Sequence, residues 1–129
     1  MNSEAPICVI EDNVPIRKLF CTLLNKSGYT TVGFGEGKPA IEWLQQNNPQ
    51  CVIVDILLPD KNGPEILKAI RDVPEGNKIP VIAATGFAHS NDRQNFLEMG
   101  FDSYISKPIN TSSFVADIKK IIEEKEKNS

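Results

Sequence analysis

Five short apolar runs recur along the chain, and each is separated from the next by a stretch with helical spacing. The runs are Ile7–Ile10, Thr30–Phe34, Cys51–Val54, Pro80–Ala84 and Asp102–Ile105. The first, third and fourth are nearly unbroken. A strand that is apolar on both faces needs cover on both faces, which is the signature of a parallel sheet between two helical layers. The alternation runs through the chain without an internal repeat and without a linker rich in Gly, Pro or Ser.

The intervening stretches supply the cover. Ile16, Leu19, Phe20 and Leu23 build one helical face, which Gly28 stops. Pro39 opens a second helix over Pro39–Gln46, and Asn62-Gly63-Pro64 opens a third carrying Ile66, Leu67 and Ile70. The fourth, about His89–Met99, offers only Phe96, Leu97 and Met99, so it should be loosely anchored. Thr111 or Ser112 caps the fifth, whose stripe is Phe114, Ile118, Ile121 and Ile122 and whose tail Glu123–Lys127 is a solvated charge run. The expected fold is therefore α/β: a doubly wound five-stranded parallel sheet, order 2-1-3-4-5, flanked by five helices.

Composition narrows the function classes. With 129 residues, 40% apolar and 24% charged, the chain fits one globular domain, with its core over about residues 6–125. A net charge of −3 provides no basic footprint for nucleic acid. No apolar run approaches a membrane span and Met1–Pro6 lacks a signal-peptide layout, so a cytoplasmic location away from membranes is expected. Cys8, Cys21 and Cys51 have no metal-site spacing and read as reduced, mostly buried thiols. Trp43 reads as packing and His89 as a solvated residue.

In a 2-1-3-4-5 sheet, ligands bind beyond the carboxyl ends of strands one and three. The residues just past the strands are Glu11 and Asp12, then Asp55, Thr85, and Lys107-Pro108. Singly, each is unremarkable: an acidic pair suits a helix N-terminus, and loops after strands are polar. Together, three carboxylates in one crevice repel unless a cation is present. Oxygen donors without His or Cys favour Mg²⁺ over zinc or copper. Asp55, on the central strand beside Mg²⁺ and Lys107, is the natural nucleophile toward phosphorus, and Thr85 offers a hydroxyl to a phosphoryl oxygen.

The acidic pair, Asp55 in V-D-I-L-L-P-D-K-N-G, Thr85 in A-A-T-G and Lys107-Pro108 in Y-I-S-K-P resemble the receiver domains of two-component response regulators over roughly Ile7 to Ile122. The resemblance implies a flavodoxin-like switch that catalyses only its own phosphorylation and dephosphorylation. Asp55 would accept phosphate from the phosphohistidine of a sensor histidine kinase or phosphotransfer protein. Asp12, Asp55 and the Leu57 carbonyl would hold Mg²⁺, with Glu11 reaching it through water. Lys107 would pair with the phosphoryl group, and the Lys107-Pro108 bond would be cis. Thr85 and Tyr104 would relay the change to a protein target on the face of the fourth helix, fifth strand and fifth helix. Tyr104 is otherwise an ordinary strand aromatic.

Two positions that vary in such domains are apolar here, Leu57 and Phe87, and both should shield the phosphoryl group from water. Other readings fit less well. A dehalogenase-type phosphatase needs a second Asp where Leu57 stands, and a flavodoxin-like cofactor binder needs a Ser, Thr and Gly loop where Glu11 and Asp12 stand. A receiver-like adaptor that never takes phosphate would not keep all five polar residues. The last helix runs into Lys125–Ser129, so a stand-alone regulator is expected, with a fragment of a hybrid kinase or of a longer regulator as the alternative.

Overall fold

The computed structural model describes residues 5–56, 58–86 and 90–127. Strands β1 (Ile7–Ile10), β2 (Thr31–Phe34), β3 (Cys51–Asp55), β4 (Val81–Thr85) and β5 (Ser103–Ser106) alternate with helices α1 (Val14–Lys26), α2 (Gly37–Leu44), α3 (Gly63–Asp72), α4 (Ser90–Met99) and α5 (Phe114–Lys127). All neighbouring strands pair parallel, in the order β2-β1-β3-β4-β5. The expected architecture is the observed one.

Because successive strand side chains point to opposite faces, each apolar run splits between two cores. Cys8, Ile10, Val52, Val54, Val81 and Ala83 meet α2 and α3 through Ala40, Leu44, Ile66, Leu67 and Ile70. Ile7, Val9, Cys51, Ile53, Ile82 and Ala84 meet α1 and α5 through Phe20, Leu24, Phe114, Ile118 and Ile122. Phe20 and Phe114 stack with centroids 5.0 Å apart, joining the two helices. Leu19 departs from the expected stripe: the buried seam of α1 is Phe20 and Leu24, one turn apart, which turns Leu19 out to 39% exposure.

Local signals explain most boundaries. Asn62 and Glu65 form a reciprocal capping box on α3, with Pro64 in its first turn. Gly28 takes φ +96° after α1, the left-handed position that favours glycine at a helix stop. Helix α2 begins at Gly37, two residues before the expected Pro39, because its cap comes from elsewhere in the chain. The Asp60 carboxylate accepts from Gly37 N at 2.7 Å and Lys38 N at 2.9 Å. A Cβ on Gly37 would lie 2.8 Å from Ile66 Cδ1 and 2.9 Å from Lys61 Cβ, so a larger residue would force these neighbours to shift. At α5 the turn is built on Asn110 rather than on Thr111 or Ser112: Asn110 Oδ1 accepts from both the N–H and the hydroxyl of Ser112.

The amino end of the sheet is closed by polar bonds. Arg71 donates to the carbonyls of Gly76, Ile79 and Gly100 and to Asp102, which also accepts from Val81 N and Lys125. Lys125 is thus bound down within a tail that the sequence marked as wholly solvated. Helix α4 contrasts with α3. Three buried aliphatic side chains anchor α3, at about 2 kcal/mol each, whereas of the described α4 side chains only Phe96 is buried, and Leu97 and Met99 stand 44% and 51% exposed. Cys8 and Cys51 are buried free thiols whose burial pushes their pKa values up, Cys21 is half-buried and free, and Trp43 packs on Phe34.

The Asp60 cap yields a pH-dependent outcome. Hydrogen bonds from Gly37 N and Lys38 N hold its carboxyl below the ordinary 3.8. A depressed folded-state pKa contributes stability above the unfolded pKa and loses it as pH falls through the folded value. Asp60→Asn is therefore expected to lower the thermal midpoint at pH 7, with the gap to wild type closing below pH 3.8. A gap independent of pH would assign the loss to packing instead.

Candidate functional site

The parallel register delivers four strand ends to one edge. Ile10 pairs with Val54, Asp55 with Ala84, and Thr85 with Ser106, so Glu11, Asp55, Thr85 and Lys107 emerge side by side. Asp55 and Thr85 are themselves the last residues of β3 and β4, not the first beyond them, because the ladder extends through both. Glu11 and Lys107 do lie just past β1 and β5. Lys107 N donates to Thr85 O at 2.8 Å, and the Lys107-Pro108 peptide is cis, as expected.

Burial separates the members. Glu11 is 1%, Thr85 3% and Asp55 9% exposed, while Asp12 is open to solvent. Oxygens of Glu11, Asp12 and Asp55 all lie within 4.8 Å of one another. Lys107 Nζ pairs with Glu11 Oε1 and stands 3.3 Å from Asp55 Oδ2. Burial pushes the Glu11 carboxyl up to about 7; Lys107 pulls it back, Asp55 pushes it further, and the Asn13 N–H offsets part of this. Burial disfavours the Lys107 ammonium, yet Glu11 and Asp55 outweigh it and its pKa is raised.

Among the described residues only the Lys107 ammonium pairs directly with carboxylates of this three-acid cluster. Glu11 Oε1 is buried against that ammonium without a well-directed hydrogen bond. An oxygen-only donor set with an under-satisfied buried oxygen fits a hard divalent cation. The residues present are therefore suited to one.

Asn13 and Arg17 complete the loop after β1, and the sequence reading passed over both. Asn13 caps α1 through Ile16 N, and its own N–H donates to Glu11 Oε2 at 3.2 Å. The cap of α1 is thus Asn13, and the two acids stand just ahead of it at the helix N-terminus. An Asn two residues before Pro15 was a legible cap signal. Tyr104 is half-buried in β5, its ring 6.4 Å from Phe96. Leu57, Phe87 and His89 lie outside the described residues.

The chain matches the response regulator receiver domain family over residues 7–119. It belongs to that family. The polar-differentiation response regulator DivK of Brucella ovis is 36% identical over 116 residues, covering 90% of this chain and 94% of that protein. A CheY-like receiver domain protein from Methanospirillum hungatei superposes with a TM-score of 0.85 at 27% identity, covering 98% of this receiver domain and 100% of its own chain. The receiver domain of a Pseudomonas aeruginosa sensor histidine kinase, solved with a magnesium ion in its active-site cleft, gives 0.83 at 25% identity, covering 93% and 98%. This receiver domain is accordingly a signalling switch of two-component systems, built on the same sheet and carrying an acidic cluster compatible with a metal. No helix among its described residues is long and apolar enough to cross a membrane.

Charge crowding in the receiver domain has an opposite effect on its two states. Asp12→Asn is expected to stabilise the metal-free protein by up to about 1 kcal/mol, read as a higher thermal midpoint, since it relieves repulsion at an exposed position. Added MgCl₂ is expected to stabilise wild type and not this variant. Equal stabilisation of both proteins by MgCl₂ would place the cation elsewhere.

Proposed function

We propose that this receiver domain is a phosphoacceptor switch in which Asp55 takes a phosphoryl group from a phosphohistidine on a sensor histidine kinase or phosphotransfer protein. The observation that carries it is the pairing of Asp55 with Lys107 at 3.3 Å inside a three-carboxylate crevice, beside the buried Thr85. An Asp55 oxygen attacks phosphorus, the P–N bond breaks, and the imidazole keeps the electron pair and is protonated. The product is an acyl phosphate. Lys107 exchanges one of its carboxylate partners for a phosphoryl oxygen, and the Thr85 hydroxyl donates to another.

Asp12, Asp55 and the Leu57 carbonyl would hold Mg²⁺, with Glu11 supporting it through water. When bound, the ion offsets charge on the phosphoryl oxygens. The chain acts as one receiver domain in the cytoplasm, without direct contact to nucleic acid or membrane, and performs chemistry only on itself. Movement of Thr85 and Tyr104 would bias the surface of α4, β5 and α5 toward a protein target. The thin anchoring of α4 and its exposed Leu97 and Met99 support that reading.

Incubation with acetyl phosphate and Mg²⁺, followed by intact mass, tests the switch. Wild type is expected to gain one phosphoryl group, and Asp55→Asn none; an unmodified wild type would contradict the reading. After donor removal the phosphoryl group should persist, because the resemblance implies that Leu57 and Phe87 border it, where apolar side chains would obstruct the attacking water. Leu57→Asn and Phe87→Glu are expected to speed its loss about tenfold. Rapid loss from wild type, unchanged in both variants, would count against that shielding.

A further inference from the structure

Arg17 lies one helical turn beyond Asn13, and its Nη1 donates to the Glu11 carbonyl oxygen at 2.7 Å. That carbonyl belongs to the peptide plane joining Glu11 to Asp12. A planar peptide with one end held fixes the directions from which both side chains leave. The other side of Glu11 is held too, by its N–H donating to Phe34 O at 2.9 Å. The acidic pair thus sits between a strand and a guanidinium.

The route taken by Arg17 is cleared by two glycines. A Cβ on Gly33 would lie 3.2 Å from Arg17 Cδ, and one on Gly35 would lie 2.9 Å from Nη1. Neither glycine has a positive φ. Glycine inside a strand weakens it and often marks close approach of another group. Here backbone conformation does not demand glycine at either position; the neighbour of both is the flexible end of Arg17, so an added Cβ would displace the guanidinium from the Glu11 carbonyl.

We propose that Arg17 is a positioning residue for the divalent-cation site, orienting the Glu11–Asp12 peptide in a channel that Gly33 and Gly35 keep clear. The inference rests on the reading of Glu11, Asp12 and Asp55 as that site. Mg²⁺ tolerates little departure from octahedral oxygen geometry, so a small tilt of this peptide weakens binding. Arg17 touches no reacting atom and acts only through Glu11.

Isothermal titration of the full chain with MgCl₂ tests it. Gly35→Ala keeps every charge while crowding Nη1, and Arg17→Gln removes the donor fork. Each is expected to weaken magnesium affinity about tenfold, the scale on which groups behind metal ligands act. Arg17→Lys should recover part of the loss. The double variant should be no weaker than Arg17→Gln alone, because the clash leaves with the guanidinium. A role confined to holding the fold would lower the metal-free thermal midpoint and leave the affinity of the folded protein unchanged. Wild-type affinity in Gly35→Ala and Arg17→Gln, or fully additive losses in the double variant, would overturn the proposal. If Asp12→Asn alone loses binding, the cation site stands without Arg17. Absence of magnesium binding by wild type would overturn the site and the proposal together.

Discussion

The site depends on one ammonium shared between two buried carboxylates. Lys107 meets Glu11 and Asp55 at the carboxyl end of the sheet, and without it both acids would be left uncompensated in a poorly solvated crevice. Removing one partner of such a buried set costs about 3 kcal/mol. The arrangement is therefore stable only as a unit. Three carboxylates around one ammonium would favour a cation, and on the proposed reading a phosphoryl group would offer Lys107 new oxygens.

Parallel pairing is what assembles that unit. Right-handed crossovers place every helix between strand ends, so the polar residues that follow β1 and β5 share an edge with the last residues of β3 and β4. Among the described residues the opposite edge gathers a different polar set. There Arg71, Asp102 and Lys125 close the backbone with hydrogen bonds beneath the rim that holds the candidate site. Two apolar layers hold the sheet between them, and only α4 is lightly fixed.

Strand number, strand order and the convergence of Glu11, Asp12, Asp55, Thr85 and Lys107 were legible because each rests on local pattern plus a rule of topology. What escaped was long-range. The start of α2 depends on Asp60, twenty-three residues away in sequence from Gly37, and no periodicity in α2 announces it. Leu19 was misplaced because a four-residue seam through Phe20 and Leu24 decides the buried face of α1, not the mere apolarity of its members. Arg17 left a trace that was readable only in retrospect: one glycine in the edge strand β2 and one just beyond it, neither with a positive φ. Side chains whose partners lie on another element carry no signature in their own neighbourhood.

The central claim is that chemistry at this rim occurs on the Asp55 carboxylate. Borohydride reduces an acyl phosphate and leaves homoserine in place of the aspartate, so it marks the modified residue covalently. Protein treated with phosphodonor and Mg²⁺, reduced, digested and sequenced by mass spectrometry should carry homoserine at position 55 and aspartate at Asp12 and Asp60. Homoserine at either of those positions, or none anywhere in phosphodonor-treated protein, would contradict the account.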